Sequence, residues 1–490
     1  MLYIGIDLGT SSCKLLLVDE EGRVLNSVSR EYPLYFPRPG WSEQEPEDWF
    51  AAVCGGIPEL LRGFDASGLD GIGVAGQMHG LVCLDSRGQV VRPAILWNDG
   101  RTSAEVDYLN GAVGRQTLSQ HTANIAFAGF TAPKLLWLRN NEPENFSRIE
   151  KIMLPKDYIN YRLTGVHACE PSDASGTLLY DVERRCWSRP MLELCGVSEA
   201  QMPRLFESGE VIGSVLPELA ERLGLPQGVK VVAGAGDNAA AAIGTGTVGR
   251  GKCNISLGTS GTIFISSDTF CRDPGNALHA FAHADGGWHL MSCMLSAASC
   301  NKWWMENILN SSDYQGEQRR IDAGRLGRNN VFFLPYLMGE RNPINDTDAR
   351  GTFIGLNMGN RREDMLLAVL EGVAFAIRDS LEIARAAGNS ISRSTICGGG
   401  SRSRLWTRII ANVTKLSLEV PSTEQGPGYG AAILAMSGCG LGSVRELSGR
   451  FVRTSGVIEP EEELTGLYDE RYARFSKIYP ACRELFKALA

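Results

Sequence analysis

The chain contains the stretch IDLGTSS at residues 6–12 and a near copy of it, ISLGTSG, at residues 255–261. Each stretch is a short apolar run, then Gly-Thr-Ser, then a return to apolar residues. Glycine permits a close approach of the backbone, while hydroxyl groups and turn N–H groups can all point at one anion. The repeat predicts a duplicated fold in which each half contributes one phosphate-binding hairpin. Chance recurrence of the common turn composition Gly-Thr-Ser is the alternative.

Runs typical of strands alternate with runs typical of helices around these two stretches. The runs at 71–75 and 229–233 are typical of strands, and each leads into a loop that contains glycine. The runs at 365–383 and 430–436 are typical of apolar helices. This alternation predicts an α/β protein built from layers.

The length of the chain predicts more than one domain. A single hydrophobic core rarely accommodates a chain of 490 residues, so two large domains are expected. Glycine and threonine cluster at 244–249, which places the boundary there and gives domains 1–245 and 246–490. Together with the repeat, this predicts a two-domain, duplicated α/β fold with a cleft between the domains.

Composition narrows the class of protein. Hydrophobic residues make up 43% of the chain, charged residues 21%, and the net charge is −8, so no basic footprint for nucleic acid is present. The thirteen cysteines are scattered without a Cys-x-x-Cys pair, which favours a reducing compartment over disulfides or structural zinc. Neither a signal-peptide pattern nor an apolar stretch of membrane-spanning length is found, so a cytoplasmic protein without a membrane partner is expected.

The stretch GAGDN at 234–238 carries the candidate general base. Asp237 follows a glycine-rich turn that opens a helix-like run, and a helix N-terminus supplies N–H groups and a positive potential that keep a carboxylate ionised. Such a carboxylate can accept a proton from a hydroxyl group as that hydroxyl attacks phosphorus. An ordinary helix N-cap is the alternative.

Asp7 lies in an otherwise apolar strand-like run. A carboxylate in such a strand needs compensation, and Mg²⁺ or its water shell is a common source of it. The alternative is an aspartate that accepts hydrogen bonds from neighbouring turn amides. Lys14 is a candidate for neutralising phosphate, with a solvated surface lysine as its alternative.

Two polar turns after strands suit a polyol. The loop GQMHG at 76–80 offers an amide, a flexible apolar side chain and an imidazole, and a polyol needs such paired donors and acceptors. A structural histidine is the alternative for His79. In the turn WNDGR at 97–101, Asp99 either binds a sugar hydroxyl group or starts the next helix, and Trp97 is either a sugar platform or a core residue.

The turn GGG at 398–400 is a candidate nucleotide site. A glycine-rich turn after a strand can lie against an adenine or a phosphate, although this signal alone is weak. Arg404 would lie on the first turn of the following helix and flank the adenosine. A solvent-facing arginine is the alternative.

Two longer stretches resemble the signatures of the FGGY family of carbohydrate kinases. They are GFTAPKLLWL at 129–138 and the segment 351–372, which begins GTFIGL. The family lies within the superfamily of actin, hexokinase and the heat-shock chaperone ATPases, so the resemblance implies a ribonuclease H-like duplicated fold. Shorter stretches resemble family members that act on a ketopentose: 76–80, 95–101, 154–158, 295–299 and 333–341.

The residue patterns and the resemblance together give the expected site residues. The expected catalytic residues are Asp237, as the general base, and Asp7, which would also lie beside Mg²⁺. The expected substrate-binding residues are Gln77, Met78, His79, Asp99 and Asn238. The expected nucleotide-binding residues are Thr10, Ser11, Lys14, Gly258, Thr259, Ala298, Gly399, Gly400 and Arg404. The chain departs from the family at Arg404, where relatives often have Asn, and at Ala298, where some have Gly.

The resemblance implies ATP-dependent phosphorylation of D-xylulose to D-xylulose 5-phosphate, with ATP and Mg²⁺ as cofactors and a homodimer as the assembly. A kinase of ribulose, another polyol or a gluconate-type acid is the nearest alternative. A nucleotide-driven conformational module, like the chaperone ATPases, is an alternative of another class, and it would need no polyol pocket. A Rossmann dehydrogenase is disfavoured because the N-terminal turn lacks a Gly-x-Gly-x-x-Gly run.

Overall fold

The computed structural model describes residues 1–422 and 425–489. The strands of the first half are β1 (Leu2–Leu8), β2 (Ser12–Asp19), β3 (Val24–Glu31), β4 (Glu43–Gln44), β5 (Leu69–Gly76), β6 (Val82–Leu84), β7 (Ala94–Ile95), β8 (Lys151–Met153), β9 (Ala168–Cys169), β10 (Tyr180–Asp181), β11 (Cys186–Trp187), β12 (Arg204–Leu205), β13 (Val211–Ser214), β14 (Lys230–Val232) and β15 (Ala235–Gly236). The strands of the second half are β16 (Lys252–Leu257), β17 (Gly261–Ser267), β18 (His279–Ala282), β19 (Trp288–Met294), β20 (Phe332–Leu334), β21 (Thr352–Ile354), β22 (Arg393–Cys397), β23 (Ser417–Pro421) and β24 (Thr454–Ile458).

Helices alternate with these strands in both halves. Those of the first half are α1 (Pro46–Leu60), α2 (Ser103–Tyr108), α3 (Arg115–Thr122), α4 (Thr131–Asn141), α5 (Pro143–Ser147), α6 (Pro155–Thr164), α7 (Pro171–Ala174), α8 (Arg189–Cys195), α9 (Pro217–Leu223) and α10 (Asp237–Gly244). Those of the second half are α11 (Ala298–Trp303), α12 (Tyr314–Arg319), α13 (Arg362–Ala386), α14 (Arg404–Thr414), α15 (Pro427–Gly438), α16 (Val444–Phe451), α17 (Glu462–Phe475) and α18 (Ile478–Leu489).

Each half is built on one large mixed sheet, and the two sheets share a strand order. The first-half sheet runs β3-β2-β1-β5-β14-β13, and the second-half sheet contains the run β19-β17-β16-β22-β23-β24. In both runs the first three strands pair antiparallel, the next two pairings are parallel, and the last is antiparallel. The predicted duplicated α/β fold class is therefore confirmed, since the two Gly-Thr-Ser stretches join equivalent strands.

Glycines let a helix of the second half pack on the sheet of the first half. A Cβ atom at Gly5 of β1 would lie 1.9 Å from the carbonyl oxygen of Gly428 on α15, and one at Gly73 of β5 would lie 2.0 Å from that of Ala431. Helix α1 contacts β2, and α6 contacts β5. The central strands β1 and β5 are buried on both faces and are largely apolar, with Asp7 in β1 and Asp70 in β5 as exceptions.

Two equivalent helices meet between the halves. Helix α10 follows the fifth strand of the first-half repeat, and α15 follows β23, the fifth strand of the second. A Cβ atom at Gly430 would lie 1.9 Å from the carbonyl oxygen of Ala240. The expected boundary at 245/246 falls between α10 and β16, while α15 continues the packing of the first half.

Strand β18 makes a second junction between the halves. The Asn124 side chain donates to the carbonyl oxygen of Ala280 (2.8 Å) and accepts from the Ala280 N–H (3.1 Å). The Ala282 N–H donates to the hydroxyl of Ser175 (2.9 Å). An edge of the second half thus lies beside loops of the first.

Among the described residues, none of the helices combines the length and apolar content that a membrane crossing requires.

Candidate active site

The first phosphate-type hairpin is held by a chain of polar side chains. The carbonyl oxygen of Thr10 accepts from the Gln44 amide (2.7 Å), and the Thr10 hydroxyl donates to Gln77 (3.2 Å). The indole N–H of Trp97 donates to the Thr10 hydroxyl (2.9 Å), and Gln77 donates to Gln44 (3.0 Å). The buried amide of Gln77 is therefore engaged on both sides, and this arrangement makes it a support for the hairpin. Its substrate contact stays a prediction.

Asp7 lies at the carboxyl end of β1, next to this hairpin. It pairs with Lys14 across the antiparallel ladder, so the two side chains share one face of the sheet. Burial raises the pKa of Asp7 to about 7; the charge of Asp237 raises it further, and Lys14 opposes the shift. Asp7 and Asp237 are thus close enough to repel each other when both are ionised.

Asp237 is the first residue of α10, directly after β15. One of its carboxylate oxygens accepts from the Asn238 backbone N–H (2.7 Å) and from the Asn238 side-chain amide (2.9 Å). Burial raises the pKa of Asp237 to about 6, while these two hydrogen bonds oppose the rise. The carboxylate is therefore ionised at neutral pH yet basic enough to accept a proton.

The position of Asp7 beside the hairpin fits the chemistry of Mg²⁺. This ion is usually bound through one or two carboxylates together with substrate phosphates and water. The described residues contain no group of three or more His, Cys, Asp or Glu side chains that could hold a metal ion by themselves. Asp7 would therefore supply only part of a coordination shell, which agrees with an ion that arrives with a nucleotide, and Asp237 stays free to accept a proton.

A buried charge network supports the backbone in front of Asp237. The Lys156 ammonium, which is fully buried, donates to Asp157 (2.6 Å) and to the carbonyl oxygen of Ala233 (3.3 Å). The Ser172 hydroxyl accepts from the Gly236 N–H (3.1 Å). Sequence reasoning gave Lys156 and Ser172 no role. The stretch at 154–158 was a family-like signal, but the target of its lysine depends on contacts across the fold.

Met78 and His79 lie where two strand ends of the first half meet. A Cβ atom at Gly236 would come 3.0 Å from the Met78 side chain, so the glycine lets the methionine pack closely against the turn before α10. The Asn238 amide lies 4.0 Å from the Met78 sulfur. The loop after β5 and the turn before α10 therefore bring Met78, His79, Asp237 and Asn238 together.

The hydrogen bonding of His79 fixes the tautomer of its ring. Its Nδ1 lies 2.7 Å from the carbonyl oxygen of Gly176, which only accepts, so Nδ1 carries the proton and Nε2 is an acceptor. Burial, with the charges of Lys134 and Arg341, lowers the pKa of His79 to about 3. His79 is thus a neutral imidazole that offers one acceptor nitrogen, a group that suits a sugar hydroxyl.

Asp99 is buried beside the sugar-type loop and bound to protein groups. It accepts from the Ser42 N–H (2.6 Å) and from two guanidinium nitrogens of Arg101 (2.8 and 2.7 Å). The Arg101 guanidinium lies 3.7 Å from the ring centroid of Trp41. This arrangement favours a supporting role for Asp99, and its substrate contact stays a prediction. Trp97 is 44% exposed, so it is no core residue.

A cavity of about 540 Å³ lies in the second half, at the tip of the second hairpin. Five of its lining residues are expected nucleotide contacts: Gly258, Thr259, Ala298, Gly399 and Gly400. The others were not expected from the sequence: Leu257, Ser299, Asn301, Lys302, Tyr314, Gln315, Gln318, Arg402, Ser403 and Trp406. Arg402 lines the cavity, whereas Arg404 begins α14 outside the lining. Thr10, Ser11 and Lys14 belong to the hairpin of the other half.

Glycine shapes the wall of this cavity. Gly398 has φ +85°, and a Cβ atom there would lie 2.7 Å from the carbonyl oxygen of Leu257. A Cβ atom at Gly400 would lie 2.9 Å from both the Leu257 side chain and the Trp406 ring. The Ala298 N–H donates to the carbonyl oxygen of Gly258 (2.9 Å), which fixes the start of α11 against the hairpin. The cavity wall thus combines glycine backbone and apolar side chains with polar groups such as Ser299 and Gln318, a mixture that suits an adenosine.

The duplicated fold and these two regions define a class of protein. A nucleotide-sized cavity on one half and a carboxylate beside a polyol-type loop on the other are the parts of a phosphotransferase of the actin and hexokinase superfamily. The model of the FGGY family of carbohydrate kinases, N-terminal domain, matches residues 2–244, and that of the C-terminal domain matches 253–439. The chain therefore belongs to the FGGY family of carbohydrate kinases.

Individual relatives agree with this family. The chain is 42% identical over 436 residues to the xylulose kinase of Escherichia coli (strain K12), which covers 89% of each chain. It superposes on the crystal structure of a "xyloylose kinase" from Brucella ovis with a TM-score of 0.92 at 40% identity, covering 99% of this chain and 100% of that one. A gluconate kinase structure from Lactobacillus acidophilus gives a TM-score of 0.93 at 27% identity, covering 100% and 99%.

Proposed function

We propose that this carbohydrate kinase transfers the γ-phosphoryl group of ATP to D-xylulose, giving D-xylulose 5-phosphate and ADP, with Asp237 as the general base. The observation that carries the proposal is the meeting of Asp237 and Asn238 with the Met78-His79 loop. The similarity to the Escherichia coli xylulose kinase favours the ketopentose among the possible sugars.

The sugar would bind against the first half. Neutral His79 presents Nε2 to a hydroxyl group, and Asn238 adds an amide beside the Asp237 carboxylate. Met78 fills the apolar space along the carbon chain. Asp237, with a pKa of about 6, accepts the proton of the terminal hydroxyl as that oxygen attacks phosphorus.

The nucleotide would bind mainly on the second half, with its adenosine in the 540 Å³ cavity. Thr259 and the Thr10-Ser11 hairpin then hold the phosphates from opposite sides. Lys14 adds positive charge beside Asp7. When bound, Mg²⁺ supplies charge neutralisation at the transferred phosphate, and Asp7 is the residue that would hold it, together with phosphate oxygens and water. Closure of the two halves would exclude water and align the reactants.

An ADP-release assay with a panel of sugars tests the proposal. The panel contains D-xylulose, D-ribulose, xylitol, glycerol and D-gluconate, with ATP and Mg²⁺ throughout. We expect the highest kcat/KM with D-xylulose and negligible ADP release without a sugar. A higher kcat/KM for D-gluconate or D-ribulose would replace the proposed substrate within the same family. Sugar-independent ATP turnover would instead favour the chaperone-like alternative.

The assembly is also a proposal. A homodimer is expected from the family resemblance alone. Sedimentation equilibrium of the pure protein measures it directly, and a single species at the 53.2 kDa mass of one chain would contradict it.

A further inference from the structure

Arg341 belongs to a segment of the second half whose residues on either side of it, Glu340 and Asn342, are hydrogen-bonded to other parts of that half. The Glu340 carboxylate accepts from the N–H groups of Leu295 and Arg341, both at 2.8 Å. The Asn342 amide oxygen accepts from the Cys293 N–H (3.1 Å), and its nitrogen donates to the carbonyl oxygen of Ala277 (2.7 Å). The backbone of Arg341 is therefore fixed to the end of β19.

The guanidinium of Arg341 has no hydrogen-bond acceptor among the residues that the structure describes. Among residues 1–422 and 425–489, no hydrogen bond or ion pair engages it, and its Nε is both buried and unpartnered. The guanidinium carbon lies over the face of Phe127, 4.9 Å from the ring centroid. A partly buried cation without an acceptor costs free energy, and arginine in proteins normally meets carboxylate, carbonyl or phosphate oxygens. A fixed backbone with an unsatisfied head group therefore indicates a ligand.

Arg341 lies at the His79 end of the candidate sugar site. Phe127, which it covers, packs on Phe130 (5.5 Å between centroids), and Phe130 stacks on His79 (4.8 Å). Its charge lowers the pKa of His79 directly. Burial raises the pKa of the Cys293 thiol; the charge of Asp237 adds to the rise and that of Arg341 opposes it, so both charges lie near this thiol.

A second unpartnered group of the second half lies in the same place. His279, at the start of β18, is 2% exposed, and its Nε2 has no hydrogen-bond partner. Its ring lies 5.6 Å from that of Phe130, and the charge of Arg341 lowers its pKa. Two polar groups of the second half are thus left unsatisfied beside the first-half sugar loop.

We propose that Arg341 donates hydrogen bonds to the carbonyl oxygen of the ketose and thereby selects ketoses over polyols. This assignment rests on the proposed function. It follows from complementarity of donors and acceptors: a guanidinium only donates, and a ketone oxygen only accepts. His79 Nε2 and the Asp237 carboxylate are acceptors, so they serve hydroxyl groups but not a carbonyl. Asp237 serves the hydroxyl group that is phosphorylated, and Arg341, which reaches the site through Phe127 and Phe130 on the His79 side, serves the carbonyl.

Steady-state kinetics of Arg341→Met and Arg341→Lys test this proposal, with Arg184→Met as the matched control. Arg184 has an 81% exposed side chain whose ion-pair partner is Asp181 (3.8 Å), and it has no place in the proposed site. Since a hydrogen bond to a charged group is lost, we expect Arg341→Met to raise the KM for D-xylulose about 10- to 100-fold. The KM for ATP should change by less than about 3-fold. The KM of Arg341→Lys for D-xylulose should lie between those of the wild type and Arg341→Met.

The ratio of two substrates separates carbonyl recognition from general support. For the wild type and for Arg341→Met, kcat/KM is measured with D-xylulose and with xylitol, which replaces the carbonyl by a hydroxyl group. The ratio of the two values should fall about tenfold or more in the variant. An equal loss on both substrates, or a parallel rise in the KM for ATP with a lower melting temperature, would overturn the assignment.

The same kinetic data distinguish an error in the role of Arg341 from an error in the proposed substrate. If the wild type phosphorylates D-xylulose but Arg341→Met keeps the wild-type KM, only the assignment of Arg341 is wrong. If the wild type prefers D-gluconate and Arg341→Met loses that activity, the proposed substrate is wrong and Arg341 binds a carboxylate in place of a ketone. If the wild type prefers a polyol, the carbonyl assignment is overturned with it.

Discussion

The two halves of the chain share one strand order but differ in what their loops carry. At the end of the first strand of each repeat, Asp7 in β1 corresponds to Ser256 in β16, and across the ladder Lys14 corresponds to Thr262. The parallel neighbour of this strand is β5 in the first half and β22 in the second. The chain after β5 has Gln, Met and His at 77–79, whereas the chain after β22 has three glycines at 398–400. The same scaffold thus holds reactive side chains on one side and exposed backbone on the other.

This difference teaches how a duplicated fold divides its work. A sugar is recognised by donors and acceptors, so the first half keeps charged and polar side chains at its strand ends. An adenosine needs a flat apolar space that the backbone can approach closely, so the second half removes side chains there.

Removing the charge of Asp237 should have the largest effect on the rate of phosphoryl transfer. Asp237→Asn keeps the shape of the side chain but cannot accept the proton, so kcat should fall by about 10²–10⁴-fold. The KM for sugar should change much less, because Asn238 and His79 remain. Single-turnover measurements with saturating ATP give the chemical rate. Near-normal turnover would contradict the assignment of the base.

The pH dependence of the chemical rate should reflect the protonation of Asp237 and not that of His79. The pKa of Asp237 is raised to about 6, so the side chain becomes protonated and inactive as a base as the pH falls below that value. The chemical rate should then decline about tenfold per pH unit. Because the pKa of His79 is lowered to about 3, no limb of the profile should arise from it between pH 5 and 8. A profile that is flat down to pH 5 would argue against Asp237.

Placing an aspartate in the second hairpin, at the position equivalent to Asp7 of the first, should weaken nucleotide binding. Ser256→Asp introduces the carboxylate of the first repeat beside Leu257, which lines the nucleotide cavity. Repulsion between this charge and the phosphates should raise the KM for ATP by about 3- to 10-fold, with a smaller effect at high salt. Ser256→Asn is the matched neutral control and should raise it less. Equal effects from both variants would show that size, and not charge, is responsible.

The glycine turn of the second half should be sensitive at one position and tolerant at its neighbour. A Cβ atom at Gly400 would lie 2.9 Å from Leu257 and Trp406, whereas one at Gly399 would have nothing within 4 Å. Gly400→Ala should therefore lower the free energy of unfolding by about 1–3 kcal/mol. Gly399→Ala should change it by less than about 0.5 kcal/mol. Urea unfolding of both variants measures the contrast, and equal losses would contradict it.

Part of the site could be read from local sequence because its signals are local. The two Gly-Thr-Ser hairpins, the loop at 76–80 and the turn at 234–238 each combine a strand end with residues of defined chemistry within a few positions. Gln77 and Asp99 show the limit of this reasoning. Both have polar side chains in suggestive loops, yet Gln44, Thr10, Ser42 and Arg101 already bind them.

Sequence alone determined the duplication, the family resemblance and the residues around Asp237, because these depend on composition and order along the chain. Only the tertiary structure decided which polar groups are satisfied. Lys156 supports the turn before Asp237 through the carbonyl oxygen of Ala233, and Trp406 closes the nucleotide cavity from a separate helix. Arg341 reaches the surroundings of His79 through Phe127 and Phe130, although Arg341 and His79 are far apart in the sequence. Such pairings follow from long-range packing, in which a hydrogen-bond partner is chosen by the fold and not by its neighbours in sequence.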